Sequence, residues 1–421
     1  MTKKIIFYLL SVLIIFAPVA KGAVKLWSKS IVEMAILVAV FLWLWKVVNV
    51  RHVAKNSLAA KFKRTPIDLP IWFFVVLAAI SSLLSIYKYA SVQEMLILMA
   101  MVGVFYLVVN NFTDRMVLNF AGLIVVIGAA LSLLGIGQYF CGLNHAWWTP
   151  KQFLAATYVN HNHFAGYLEV AIPLAIGVFI SIKKGKAFVR HQRVIMSILL
   201  GSALALMGTA FILAQSRGAW ISLIVSLIIM NIVLIQKKVL SKKSIIVVIL
   251  VIALAAIFLY GGYDIVAQRL RSIGEFTGGA AVEYRPKIYQ GTFEMIKKNP
   301  LIGTGIGTFV WGFPAYRPDG MLTRTYFAHN DYLHMMAEMG IMAFPLMVWM
   351  IYSVISAGLK IRHQISETEL SMEQAILIGS AIGILSLSLH GLVDFNFHIT
   401  ANMLLVASCA GLIMRNQNIK V

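Results

Sequence analysis

Long apolar stretches separated by short polar or basic connections set the pattern of this chain. A helix needs roughly 17–25 apolar residues to cross a hydrocarbon layer about 30 Å thick. Such stretches occur at 5–20, 31–49, 69–87, 92–110, 118–138, 164–182, 194–214, 219–235, 244–261, 338–359, 374–393 and 401–414. The short alternating segments of a membrane barrel are missing, and backbone inside hydrocarbon must satisfy its own hydrogen bonds. The pattern therefore predicts an all-α polytopic membrane bundle of about 12 transmembrane helices, a single domain over 1–421. The first stretch follows Lys3-Lys4 and is similar to a signal peptide. A clean small-x-small cleavage site is missing around Pro18-Val19-Ala20, so a retained helix is expected.

Composition narrows the class further. At 60% hydrophobic and 12% charged residues the chain lies outside the range of soluble domains. A net charge of +20 could suggest nucleic acid, but its distribution does not. Basic residues gather in alternate connections: Arg51, Lys55, Lys61, Lys63 and Arg64, then Lys183, Lys184, Lys186, Arg190 and Arg193, then Lys237, Lys238, Lys242 and Lys243. With Lys3, Lys4, Arg415 and Lys420 they mark one membrane face and its anionic lipids, the cytoplasmic one, with both termini on it. Cys141 is expected in an outer connection and Cys409 inside the last stretch, so neither a disulfide nor a metal cluster is expected.

One connection departs from the pattern. Residues 262–337 form a large outer loop carrying Arg269, Arg271, Arg285, Lys287, Lys297, Lys298, Arg317 and Arg324. Long translocated loops are exempt from the charge rule. Phe293, Phe309, Trp311, Phe313, Tyr316, Tyr326 and Phe327 argue against disorder, leaving a lid or a binding segment. Within it Tyr289 to Lys298 reads as a short helix stopped by Pro300, and Gly303-Thr304-Gly305-Ile306-Gly307 as a flexible turn. A helix is expected to begin near Tyr332 and run on into the tenth span. A second outer connection, 139–163, holds Trp147, Trp148, Tyr158 and Asn160-His161-Asn162-His163. Its tryptophans suit interface anchors and sugar-stacking platforms alike.

Candidate chemistry lies in the same outer connections. Arg217 sits in a tight connection, Gln215-Ser216-Arg217-Gly218-Ala219-Trp220; Arg285 follows Glu283-Tyr284; His329 and His334 lie in Ala328-His329-Asn330-Asp331-Tyr332-Leu333-His334. Guanidinium groups grip phosphate oxygens bidentately, and a histidine can accept a proton near neutral pH. That set suits a diphosphate that must leave and a hydroxyl that must be deprotonated. The plainer alternatives are arginines snorkelling to headgroups and histidines capping a helix. No Asp-x-Asp pair offers a metal grip, and the glycine triplet lacks the Gly-Lys-Ser/Thr of a P-loop, so no metal and no cofactor are expected. A transporter or flippase is the rival reading. It wants ionisable groups near mid-membrane, whereas Glu33, Glu94, Glu169, Glu338 and Asp394 lie near span ends, with His390 deeper. Glu169 and Asp394 fall toward the outer side, where they could orient histidines or arginines.

These motifs resemble those of the O-antigen ligase and polymerase superfamily. Gln215 to Trp220 is similar to its Ser-Arg-Gly signature, and Asn299-Pro300-Leu301-Ile302-Gly303-Thr304-Gly305 to its proline, leucine and glycine signature. His329-Asn330-Asp331-Tyr332-Leu333 followed by Glu338-Met339-Gly340 resembles its most specific motif; Ala343 departs from the glycine, threonine or tyrosine usual there. The resemblance implies a metal-independent, inverting glycosyltransferase in the bacterial inner membrane, with its site facing the periplasm. The donor it implies is a glycan on undecaprenyl diphosphate; the acceptor is lipid A-core for a ligase and a growing glycan for a polymerase. By motif, Arg217 and Arg285 would hold the diphosphate and His329 would be the base. Gln215, His161, His163 and His334 would support substrate binding.

Overall fold

The computed structural model describes residues 2–53, 62–141, 153–184, 189–241, 280–321, 324–360 and 370–415. Among these, eight helices are long and apolar enough to cross a membrane. They are α1 (Thr2–Val19), α2 (Leu26–Val53), α4 (Lys88–Asn111), α5 (Asp114–Cys141), α6 (His161–Lys184), α7 (Arg190–Leu213), α8 (Arg217–Gln236) and α12 (Met372–His390). Three shorter apolar helices join them, α3 (Asp68–Leu83), α11 (Ala343–Leu359) and α13 (Thr400–Met414). Two further helices are less apolar, α9 (Ala280–Lys298) and α10 (Asp331–Met339). Every expected apolar stretch thus has its helix except 244–261, which lies outside the described residues, as do Trp147, Trp148, Arg269 and Arg271. Among the described residues no strand occurs.

Two local expectations change. The helix expected to run from Tyr332 into the tenth span is broken: α10 ends at Gly340, whose φ of +84° is left-handed, and α11 starts at Ala343. The break lets the Ile341 amide bond the Pro300 carbonyl at 2.8 Å. The glycine segment expected to be flexible is instead clamped. Gly303, Gly305 and Gly307 all have positive φ, and the Gly305 amide reaches the Glu338 carbonyl at 2.9 Å.

The bundle is organised around α6 and α12. Backbone approaches backbone where side chains are smallest: a Cβ on Gly379 would lie 2.6 Å from the Leu174 Cα, and one on Gly177 would lie 2.5 Å from the Ala375 carbonyl. Such small-residue contacts allow close helix packing where hydrocarbon offers no hydrophobic drive. The periphery is apolar too: Met34, Phe41 and Trp45 on α2 and Ile198 and Leu199 on α7 face outward. An apolar exterior over long helices is the surface of a protein whose solvent is lipid.

Polar contacts gather at the two ends. At one end Thr157 Oγ1 donates to the Pro18 carbonyl (2.7 Å), Ile86 N to Thr304 O (3.0 Å) and Asn330 Nδ2 to Leu392 O (2.8 Å). At the other, Arg415 Nη2 binds Asp114 Oδ1 at 2.6 Å and Glu373 Oε1 at 2.8 Å, and Tyr106 Oη donates to Asp68 Oδ1 at 3.1 Å. The first end is covered by α9, α10 and the chain between them, held by their own apolar cluster of Ile288, Met295, Phe309, Phe313, Leu333 and Ala337.

Gly340→Ala tests the break. An added Cβ would lie 2.3 Å from the Leu301 carbonyl oxygen, at a φ that side chains disfavour. The expected loss is about 1–3 kcal/mol, read as a lower Tm in detergent. Gly122→Ala, at a helical position with open space around it, should leave Tm unchanged or raise it.

Candidate active site

The connection from His390 to His398, between α12 and α13, gathers the candidate residues. Asp394 lies at its centre, 1% exposed. Its Oδ2 accepts from Asn162 Nδ2 at 2.6 Å and its Oδ1 from the Phe395 amide at 2.8 Å. Arg285 Nη2 and His163 Nε2 each stand 3.9 Å from the carboxylate. Burial alone would raise this carboxyl; His390, His163, His329 and Arg285 outweigh it and hold it below the usual carboxylate range. The start of α6 and the basic face of α9 are thereby drawn onto one negative charge.

His329 sits beside that charge. Its ring meets Phe395 edge to face, centroids 5.0 Å apart, and its Nδ1 is buried with no hydrogen-bond partner. Its backbone is left-handed, φ +52°, a conformation that histidine adopts more readily than most residues. Four hydrogen bonds on it and on the residues that follow hold it there. Tyr289 Oη donates to the His329 carbonyl at 2.9 Å, the Asn330 side chain caps α10 by accepting from Tyr332 N and Leu333 N, and Asp331 N donates to the Gly391 carbonyl at 2.8 Å. Burial lowers the His329 pKa; Asp394 opposes the shift, and Arg285 and His334 reinforce it. The net shift is downward.

Arg217 opens α8, with Ser216 as its N-cap. Gly218 brings this helix start to the same connection: a Cβ there would lie 2.8 Å from Val393 Cγ2 and 2.9 Å from His390 Cδ2. His161 Nδ1 donates to the Ala214 carbonyl at 2.6 Å, tying α6 to the turn before Arg217. In that turn Gln215 has φ +54°, and both polar atoms of its buried amide find no hydrogen-bond partner. Buried polar groups without partners are uncommon and call for an explanation. The Arg285 side chain and the His329 ring thus lie against this connection, and the helix start that carries Arg217 packs on its first residues at Gly218.

His334 lies apart from them. Its Nε2 is 3.1 Å from Glu338 Oε1, its Nδ1 accepts from the Ala328 amide at 3.3 Å, and its ring is 4.1 Å from that of His398. His398 Nδ1 in turn lies 2.7 Å from Asp331 Oδ1. Stacked Phe327 and Phe395, centroids 4.1 Å apart, stand between this second histidine cluster and His329. Deeper in the bundle His390 Nδ1 meets Glu169 Oε2 at 2.7 Å. Sequence reasoning passed over Asn162, Tyr289, Phe395 and the His398–Asp331 pair. The one signal available was the density of His, Asp and Asn in so short a connection as 390–398. Among the described residues no three His, Cys, Asp or Glu side chains are arranged to hold a metal ion.

Glu338 couples the second cluster to the glycine segment. Its Oε2 accepts from Gly307 N at 2.7 Å and its Oε1 from Phe309 N at 2.8 Å. Burial raises this carboxyl, but His334, His398 and the Gly307 amide more than offset that, and it stays ionised. Glu338→Gln turns one acceptor oxygen into a donor facing an N–H. The expected loss is about 1–3 kcal/mol, measured as a lower Tm together with faster hydrogen exchange of the Gly303–Phe309 amides.

Residues 202–348 match the family model described as O-Antigen ligase. No curated protein matches the chain. The matched segment carries Arg217, Arg285, His329 and His334 and stops short of α6 and of the 390–398 connection. With its long apolar helices the chain is a multi-pass membrane protein, and the match places its 202–348 segment, with both arginines and His329, in the O-antigen ligase superfamily.

Proposed function

We propose that this protein is an inverting glycosyltransferase that moves a glycan from undecaprenyl diphosphate to the lipid A-core, working at the end of the bundle that carries Arg217, Arg285 and His329. In this reading that end faces the periplasm and the basic connections face the cytoplasm, as the charge rule requires. The observation that carries the reading is the half-buried His329, its Nδ1 unpartnered, beside an arginine that is itself anchored by Asp394.

The chemistry follows from those groups. His329 takes the proton of the acceptor hydroxyl, and the oxygen attacks the anomeric carbon from the face opposite the diphosphate. The bond from that carbon to the diphosphate oxygen breaks, and its electron pair leaves with the diphosphate. One displacement inverts the anomeric centre. Arg217 and Arg285 meet the negative charge as it develops, in a place where burial strengthens each charge-assisted bond. In this reading the unpaired atoms of the Gln215 amide find their partners on the donor. His163 and His161 hold the frame through Asp394 and Ala214, and His334 supports the loop from behind.

Purified protein given a lipid-diphosphate-linked glycan and separate acceptors tests the assignment. Sugar gained by lipid A-core supports a ligase; sugar gained only by the non-reducing end of a second glycan means a polymerase of the same superfamily; no transfer to either overturns the reading.

Two predictions refine it. Arg217→Lys and Arg285→Lys keep the charge and lose the planar fork, and each should lower turnover about 10- to 150-fold. Unchanged turnover at normal expression would return the arginines to headgroup anchoring. His329→Ala should lower turnover about 10²- to 10⁴-fold while donor binding persists. The pH profile gives the sign. A base works when unprotonated, and burial depresses His329, so the rate should rise with pH on a limb below the ordinary histidine value of about 6.5 and then level off. Asp394 is the neighbour that raises His329, so in Asp394→Asn this acid limb should move to still lower pH. A limb that stayed in place or moved upward would remove His329 from the role of base.

A further inference from the structure

The chain between α9 and α10 carries aromatic and basic side chains that the site around His329 does not use. Arg324 stands between two of the rings: its guanidinium carbon lies 5.4 Å from the centre of Trp311 and 5.2 Å from the centre of Tyr326. Trp311 in turn meets Tyr87, from the connection between α3 and α4, with centroids 4.8 Å apart. Beside them the Ile86 amide bonds the Thr304 carbonyl at 3.0 Å and closes the seam between the two segments. Trp311 is 50% and Tyr326 57% exposed, and Arg324 is exposed too.

Two properties set this patch apart from an aromatic interface anchor. Among the described residues Arg324 makes no hydrogen bond or ion pair, so the two ring contacts hold its guanidinium and leave its N–H donors uncommitted. A guanidinium without an anionic partner is costly in hydrocarbon, which keeps the rings around it out of the acyl region. The second property is the link to His329. Arg324 and Tyr326 are exposed while Thr325 and Phe327 are half-buried, the alternation of an extended chain. Phe327 stacks on Phe395, which meets the His329 ring edge to face. Tyr326 is three residues from His329, within about 10 Å even on a fully extended chain. Patch and histidine thus ride on one short stretch.

We propose that Trp311, Tyr326 and Arg324 form a saccharide subsite for the acceptor glycan, in which a sugar ring stacks on an exposed aromatic face and Arg324 takes a carboxylate or phosphate carried by that glycan. The proposal rests on the reading of His329 as the base, because the acceptor extends away from the hydroxyl that His329 deprotonates. An aromatic face matches the C–H face of a pyranose ring, and a planar guanidinium fork matches a carboxylate or phosphate bidentately. A neutral glycan would use the rings alone.

Binding is measured without any donor, by titrating the full chain in phosphatidylcholine nanodiscs with core oligosaccharide freed of lipid A by mild acid. Trp311→Ala and Tyr326→Ala should each weaken binding about 2- to 10-fold, and Arg324→Gln about 10-fold or more. Trp311→Phe keeps a ring and should recover most of the affinity. Trp45→Ala, at an outward position on α2, should leave it unchanged. A neutral glucose heptasaccharide should bind about 10-fold more weakly than the core oligosaccharide and be indifferent to Arg324→Gln. Full affinity in Trp311→Ala, Tyr326→Ala and Arg324→Gln overturns the subsite, as does the absence of oligosaccharide binding to the unaltered chain. So does Trp311→p-benzoylphenylalanine, if on illumination it crosslinks phospholipid rather than the oligosaccharide. Affinity that falls as expected in a protein that transfers no sugar keeps the subsite and removes the glycosyltransferase reading. Transfer with unaltered affinity in the three variants does the reverse.

Discussion

A carboxylate taken out of water has to be answered by other groups, since its desolvation costs several kcal/mol. Asp394 is answered from three directions. Asn162 and His163 come from the start of α6, Arg285 comes from α9, and the Phe395 amide comes from the next residue. Asn162, His163 and Arg285 are remote in sequence, and meeting one charge fixes where each must be. Arg285 gains a counter-ion that holds its guanidinium, and His329 gains a negative neighbour that moderates the effect of its burial. The helix ends that reach this connection arrive through backbone contacts as well, Asp331 N on Gly391 O and Asn330 Nδ2 on Leu392 O.

Helix positions were legible because an apolar run long enough to cross a membrane has few other fates. What the pattern could not convey was the fate of the segments between runs. The break at Gly340 depends on a left-handed φ and on a carbonyl of Pro300 that only the folded chain brings near. The glycine segment read as flexible because glycines permit many conformations; Glu338 and Ser81, distant in sequence, select one by tying α10 to Gly307, Phe309 and α3. The arginines and His329 stood out by residue type. Asn162 and Tyr289 did not, because an amide and a phenol are unremarkable until a carboxylate or a strained carbonyl is placed against them.

Three histidine–carboxylate pairs surround the 390–398 connection, and they do different work. His390–Glu169 is sealed in the bundle with Ser386 donating to the same carboxylate. His334–Glu338 fastens the glycine segment between α9 and α10. His398–Asp331 joins α10 to the connection before α13. His329 is left without a carboxylate in hydrogen-bonding contact, its Nδ1 free of any partner. His163 shares that condition, its Nε2 likewise without a hydrogen-bond partner.

The boundary of the family match falls through this arrangement. Residues 202–348 bring both arginines and His329, while the carboxylate that anchors Arg285 and the side chains that flank it belong to α6 and to the connection before α13. Exchange of this segment between relatives is therefore not a modular operation. A chimera that transplants 202–348 onto a host lacking the equivalents of Asn162, His163 and Asp394 would carry the arginines and lose their register. A swap of this segment should move α6 and the 390–398 connection along with it.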